Sequence, residues 1–240
     1  IAAPGTRIED LPRRFASYRP ENFDRTFRGE VTVAEALQHS LNVPAVLALD
    51  RIGPRRFAAS LTAAGVDARM PAAADAKASL AIALGGIGLT ARDLAMLYTG
   101  LARGGDMAPL IWSDDAEAAL PPYRLLTSES TSRLTSIMRQ APAPAGRSPA
   151  FLSRRAPQIA FKTGTSYGYR DAWAAGYTED YTVVIWAGNP NGTPRPGITG
   201  REGALPLLFD VFDRLQAFPP AAPGVVPEID LISCTAPRRR

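Results

Sequence analysis

Apolar residues recur at intervals of three and four over 33–41, the spacing that places side chains on one face of a helix. Thr32 and Glu35 form a capping-box pattern at the start of that segment, and Thr90 and Asp93 form another further along the chain. The same spacing and the same end signals predict further helices over 44–52, 55–65, 90–103, 128–140 and 204–215.

Pro44 predicts an interruption in the first helical region. Proline disfavours helical geometry at the residue before it, here Val43. We therefore expect the chain to leave the helix between Ser40 and Asn42 and to resume it at Pro44.

The second half of the chain changes to strand patterns. Short apolar runs over 158–162, 171–177 and 181–187 predict three strands, and the polar residues 178–180 predict a hairpin between the last two. The order predicts an α+β fold, in which a helical subdomain precedes an antiparallel β-sheet covered by a C-terminal helix. We expect an extended lead-in over 1–30, the domain over 31–217, and a Pro/Arg-rich linker or tail over 218–240.

The composition excludes several classes of site. The only histidine is His39 and the only cysteine is Cys234, so an internal disulfide and a Cys/His metal centre are both excluded, and no cofactor is indicated. The net charge of +4 comes from scattered residues, which argues against nucleic-acid binding. No run reaches the roughly 18 apolar residues of a spanning helix. Because the chain starts at Ile1, we expect it to be a piece of a longer protein.

The sharpest chemical motif is Lys162-Thr163-Gly164-Thr165-Ser166, at the end of a predicted strand. Lysine is rare here, since 25 of the 27 basic residues are arginines. The lysine could supply a fixed positive charge and the threonine hydroxyls could bind a carboxylate. The glycine would let a peptide backbone approach a strand edge. The alternative is an ordinary strand end rich in hydroxyl side chains.

Two other segments are weaker signals. Ser40-Leu41-Asn42 brings two polar side chains to one site only if the helix breaks there, and the alternative is that one of them merely caps the next helix. The glycines of the segment 84–89 lack the following Gly-Lys-[Ser/Thr] of a phosphate-binding loop, so we expect them to pack a tight loop.

The order Ser-x-Asn, Leu-Gly-Gly-x-Gly, Lys-Thr-Gly-Thr-Ser resembles the transpeptidase domain of penicillin-binding proteins. The flanking stretches 18–24, 35–46, 162–173 and 186–194 look closest to the bifunctional class A proteins of the penicillin-binding protein 1C type. The resemblance covers about residues 8–216. It implies a serine β-lactamase/D,D-transpeptidase-like fold that cross-links peptidoglycan stem peptides through a serine acyl-enzyme.

The resemblance also implies roles for individual residues. Ser40 would relay protons with the lysine of the family's Ser-x-x-Lys motif, Asn42 would orient the substrate amide, and Lys162 would support Ser40. Thr163 and Thr165 would bind the terminal carboxylate within a substrate-binding segment that includes Gly164 and Ser166, and the Thr165 backbone N–H would supply half of the oxyanion hole. The partners implied are a stem peptide ending in D-Ala-D-Ala and, as inhibitors, β-lactams.

The nucleophile motif Ser-x-x-Lys is missing. The positions three before Lys77 and Lys162 hold Ala74 and Ile159. We expect a chain truncated upstream of Ile1 and inactive alone, whose parent carries a glycosyltransferase domain and an anchor at the periplasmic face of the inner membrane. The alternatives are a catalytically dead homologue, a non-catalytic D-Ala-D-Ala-binding module, and a D,D-carboxypeptidase or serine β-lactamase on the same fold.

Overall fold

A computed structural model describes residues 2–15, 18–69, 80–111, 122–147 and 158–217. Its strands are β1 (Arg7–Asp10), β2 (Gly29–Thr32), β3 (Asp106–Met107), β4 (Tyr123–Arg124), β5 (Ala160–Thr165), β6 (Asp171–Tyr177) and β7 (Thr182–Gly188). Its α-helices are α1 (Val33–Gln38), α2 (Asn42–Ile52), α3 (Pro54–Ala63), α4 (Ala91–Ala102), α5 (Ser128–Arg139) and α6 (Leu205–Ala217), with a 3-10 turn at Ile82–Leu84 and a π-helical turn at Gly200–Ala204.

The antiparallel sheet β5-β6-β7 separates two layers of helices. On one face, Phe161 packs edge-on against Phe209 of α6, with ring centroids 5.3 Å apart, in a cluster of fully buried apolar residues. On the other face, Ala160 and Tyr177 pack against Met138 of α5 and its neighbours from α4. This arrangement confirms the predicted α+β class and the covering C-terminal helix.

The predicted break after α1 is present, but Pro44 is not its cause. The backbone N–H of Ser40 donates to Leu37 O and that of Leu41 to Ala36 O, the two bonds of a Schellman motif. Helix α2 then begins at Asn42 rather than at Pro44. A proline in the first turn is tolerated because the N–H it lacks has no intrahelical partner there.

The capping boxes predicted at two helix starts are present. Thr32 and Glu35 form both bonds of a capping box at α1, and Thr90 and Asp93 do the same at α4. The predicted hairpin between β6 and β7 is also present, and the backbone N–H of Thr178 donates a hydrogen bond to the carbonyl of Tyr181 across its turn.

The glycine-rich loop packs tightly, as predicted. A Cβ on Gly86 would lie 2.8 Å from the carbonyl carbon of Ala81, so only glycine fits. The predicted tail 218–240, with Cys234, and most of the alanine-rich segment lie outside the described residues.

Residues 1–30 contain regular structure that the sequence did not predict. Strand β1 pairs antiparallel with β2, with Ile8 opposite Val31. Both side chains are buried in a cluster with Leu41 and Val43. The lead-in therefore packs against the turn between α1 and α2.

No helix among the described residues is long and apolar enough to cross a membrane. Within the same ranges, no group of three His, Cys, Asp or Glu side chains could hold a metal ion.

A buried polar network joins the lead-in to α2. The Nδ2 of Asn22 donates to both carboxylate oxygens of Asp10, at 2.8 and 2.9 Å, and to Thr26 O. Its Oδ1 accepts the backbone N–H of Asn42 at 2.8 Å. Leu41 offers no side-chain cap to α2, so Asn22 caps this helix from 20 residues away.

We predict that Asn22→Ala lowers the free energy of unfolding by about 3 kcal/mol, because the buried Asp10 carboxylate keeps only the Arg28 N–H as a donor and a helix N–H loses its cap. Urea unfolding of the 240-residue chain measures this change. Asn191→Ala is the matched control, since Asn191 lies on an exposed turn and should change the value by less than about 1 kcal/mol. Equal losses in the two variants would contradict the role of Asn22.

Candidate active site

Strand β5 presents two residues to its free edge. The N–H of Ser166 donates to Asp171 O, which continues the β5–β6 ladder by one pair. Antiparallel pairs alternate, so the backbone groups of Gly164 and Lys162 also point toward β6. Those of Thr163 and Thr165 point the other way, to an edge that pairs with no strand among the described residues. The Thr165 N–H is thereby directed outward.

Lys162 lies on the face of β5 that is covered by α4 and α5, because side chains alternate along a strand and Ala160 faces those helices. Its Nζ donates to the hydroxyl of Ser40 and, at 2.9 Å, to Thr163 O. Burial lowers the pKa of Lys162 from 10.5 to about 8. Near neutral pH the amine therefore holds a proton that it gives up more readily than an exposed lysine does.

Ser40 occupies the position after the α1 C-cap, where the backbone is left-handed with φ 57°. Glycine is usual at this position because other residues are strained there by about 1–2 kcal/mol. The strained turn exposes the side chain and directs its Oγ at Lys162. The structure thus brings together two residues that are 122 positions apart.

Two hydrogen bonds to the lead-in hold Asn42 in place. Its backbone N–H donates to Asn22 Oδ1, and its Nδ2 donates to Glu21 O at 2.8 Å. The second bond fixes the amide plane and leaves Oδ1 turned away from Glu21. In the described part of the chain, the hydrogen bonds of Asn42 go to the lead-in and not to Lys162.

The remaining residues of the lysine motif have structural contacts of their own. The hydroxyl of Thr165 accepts the Gly200 N–H at 2.9 Å, and that of Ser166 accepts the Asp171 N–H at 2.8 Å. Each hydroxyl keeps its proton for donation. A Cβ on Gly164 would touch only the Cβ of Trp173, at 3.7 Å, so space is open above this residue.

This arrangement can bind an extended peptide at the β5 edge and move a proton beside it. A serine hydroxyl and an amine of lowered pKa are in contact, and an outward N–H lies three residues along the strand. Sequence reasoning gave no role to Asn22 and Glu21, which hold the Ser40–Asn42 turn. The available signal was that both residues lie in the stretch 18–24, which resembles the family, but that stretch does not show their partners, which are distant in sequence.

Comparisons with known proteins identify the family of the chain. The penicillin binding protein transpeptidase domain matches residues 3–200. Penicillin-binding protein 1C of Escherichia coli is 43% identical over 209 residues, covering 87% of this chain and 26% of that protein. Penicillin-binding protein 1F of Bacillus subtilis is 30% identical over 200 residues, covering 77% and 27%. The chain spans about a quarter of the length of these relatives.

Solved structures support the fold. Penicillin-binding protein 1A from Haemophilus influenzae superposes with a TM-score of 0.72 at 18% identity, covering 95% of this chain and 41% of that one. PonA1 from Mycobacterium tuberculosis, in complex with penicillin V, gives 0.67 at 20% identity, covering 92% and 66%. Because the family match spans most of the chain and the fold agrees, the chain belongs to the penicillin-binding protein transpeptidase family, with its resemblance to the 1C type confirmed.

Proposed function

We propose that this chain supplies the substrate-binding strand and the proton relay of a peptidoglycan D,D-transpeptidase. The observation that carries the proposal is the contact between the Lys162 amine and the Ser40 hydroxyl, beside the outward backbone groups of Thr163 and Thr165. These are parts that acyl transfer to and from a serine requires, and in the proposal the nucleophile and the lysine of its motif come from outside these residues. No step requires a metal or a cofactor.

The nucleophilic serine comes, in this proposal, from a segment outside these 240 residues. Neither lysine of the chain has a serine three positions before it. The serine oxygen attacks the carbonyl carbon between the two terminal D-alanines, and its proton passes through the relay to the departing D-alanine amine as the C–N bond breaks. An amine of a neighbouring strand then attacks the ester, and the serine regains a proton.

Each motif residue has a role in that sequence. The Lys162–Ser40 pair carries the proton between nucleophile and leaving amine, and a lowered lysine pKa favours both directions of transfer. The Thr165 N–H stabilises the oxyanion. Hydroxyls of Thr163 and Thr165 bind the terminal carboxylate, and Asn42 orients the substrate amide through Oδ1.

The cellular location that we propose for the parent protein follows from where its substrate is found. Stem peptides are cross-linked outside the cytoplasmic membrane, so the parent protein would work at the periplasmic face, held by an anchor beyond these residues. Its glycosyltransferase domain would also lie there. β-Lactams would acylate the same serine; the solved structure of PonA1 is a complex with penicillin V.

The missing Ser-x-x-Lys favours a second candidate, a module that binds D-Ala-D-Ala peptides without cleaving them. The two functions differ in one observable property. The first requires covalent acylation once the upstream segment is present, whereas the second gives only reversible binding that weakens when Lys162 is replaced.

We predict that a fluorescent penicillin does not label the 240-residue chain and does label a chain extended upstream through a Ser-x-x-Lys. In the extended chain, Ser40→Ala should slow acylation by about 10²–10⁴-fold, the usual contribution of a proton-transfer group. Ser60→Ala is the matched control, because Ser60 lies on α3 and bonds only within that helix. Gel fluorescence against time gives the rates. An extended chain that stays unlabelled would reject the transpeptidase in favour of the binding module.

We also predict that the Lys162 signal titrates at about pH 8 in the folded chain. With only two lysines, ¹³C-lysine labelling gives two side-chain signals, and Lys162→Met assigns them by removing one. In denaturant the same signal should return to the ordinary value of 10.5.

The shift also has a thermodynamic consequence. Between the two pKa values the unfolded chain binds more protons, so the free energy of unfolding should rise from pH 8 to 10.5. Below pH 8 the cost of burying the ammonium is present in full. Lys162→Met should lack this rise, and an equal rise in both chains would show that another group causes it.

A further inference from the structure

We propose that a polar cavity between α5 and the hairpin end of β6 is a binding site for an acidic sugar, that is, a sugar ring that carries a carboxylate. The cavity has a volume of about 470 Å³, within the range of about 300–1,000 Å³ that is typical of small-molecule sites. None of the described residues that line it belongs to the lysine motif or to the Ser40 turn. The site is therefore additional to the peptide cleft and does not depend on the proposed function.

One stripe of α5 supplies hydroxyl groups to the cavity. Residues that are three, four, seven and eight positions apart share a face of a helix. The hydroxyl side chains of this stripe are Ser128, Thr131, Ser132, Thr135 and Ser136. Leu134 and Met138, on the adjacent face, pack against the sheet. Serine and threonine are poorer helix formers than alanine or glutamate, so the stripe lowers the stability of α5 in a way that a face in contact with solvent alone does not require.

The floor of the cavity is a hydrogen-bonded pair of hydroxyls. The Oγ1 of Thr135 lies 2.7 Å from the Tyr177 hydroxyl oxygen and donates to Thr131 O at 2.8 Å. Because a hydroxyl has only one proton, Tyr177 is the donor within the pair. Both oxygens keep lone pairs that can accept bonds from the hydroxyls of a sugar. Leu101 and Ala102 line the cavity too, and they offer an apolar surface to the C–H groups of its ring.

Arg139 brings a positive charge to the same cavity from the last turn of α5. Its Nε is buried and has no hydrogen-bond partner among the described residues. The carboxylate oxygen of Glu179 lies 4.0 Å from Nη2, which is too far for a hydrogen bond, and the Glu179 side chain is 91% exposed. A buried donor without an acceptor is costly. The Arg139 side chain is 30% exposed, so a ligand can reach the guanidinium from the cavity.

These features together define the chemical class of the ligand. Side chains that both donate and accept hydrogen bonds match a molecule with several hydroxyl groups, and the planar guanidinium matches a carboxylate. A sugar acid combines the two with a ring that can cover the apolar surface. Its carboxylate would take the place that Glu179 now occupies loosely beside Arg139.

The test compares two sugars that differ at one carbon atom. Methyl β-D-glucuronide carries a carboxylate at C6, where methyl β-D-glucoside carries a hydroxymethyl group. In NMR titrations of the 240-residue chain, the glucuronide should bind about tenfold more tightly, because a charge-assisted hydrogen-bonded pair contributes about that ratio. Both sugars should shift the amide signals of α5 and of residues 177–179.

Variants then assign the ratio to the guanidinium. Arg139→Gln should reduce it to about one by weakening only the glucuronide, and unchanged binding of the glucoside shows that the variant is folded. Glu179→Gln should raise the ratio, because it removes the competing carboxylate. Ser132→Ala should weaken both sugars about threefold and leave the ratio unchanged. Arg133→Gln is the matched control, since Arg133 lies on the same helix, pairs with Glu129 and does not line the cavity.

Equal affinities for the two sugars, or a ratio that survives Arg139→Gln, would overturn the sugar-acid site. So would an equal loss of the ratio in Arg133→Gln, amide shifts confined to β5, or the absence of binding by either sugar. None of these results bears on penicillin labelling of the extended chain, so the proposed function is judged separately.

Discussion

The side-chain amide of Asn22 is the interaction on which the arrangement of the site depends. Its nitrogen donates to both oxygens of the buried carboxylate of Asp10, and its oxygen caps the first N–H of α2. One planar group therefore fixes the lead-in, the β1–β2 hairpin and the start of α2 relative to one another. The Ser40 turn lies between α1 and α2, so its position over the sheet follows from this bond and from the Schellman end of α1.

Strand β5 serves both the core and the site because its side chains alternate between the two faces of the sheet and its backbone groups alternate between its two edges. Side chains alternate between the faces, so Phe161 enters the core beneath α6 while Lys162 reaches the Ser40 turn. Backbone groups alternate between the edges, so Gly164 holds β6 while Thr163 and Thr165 remain available to a peptide. A shift of register by one residue would reverse both assignments. The fixed pairing with β6 is thus as important to the proposed chemistry as the identity of the lysine.

The sequence predicts what is local and misses what is distant. Capping boxes, the β6–β7 hairpin and the lysine strand depend on residues within a few positions, and each was predicted, although the strand continues to Thr165 instead of ending at Lys162. Strand β1 was missed because its charged residues pair with β2 some 20 positions later. The cap supplied by Asn22 was missed for the same reason. The predicted start of α2 was wrong because proline is tolerated in the first turn of a helix. Val43, the residue before Pro44, therefore adopts helical geometry, and α2 begins at Asn42.

Backbone strain gives independent support to the distribution of function. The non-glycine residues with positive φ in the described ranges are Arg25, Ser40 and Tyr169. Glycine would adopt each conformation at lower cost, by about 1–2 kcal/mol. At two of the three positions the side chain makes a contact that can offset this strain, Ser40 with Lys162 and Tyr169 with Phe23. Both contacts exist without a ligand, so in the proposed function no binding energy would be spent on bringing Ser40 and Lys162 together.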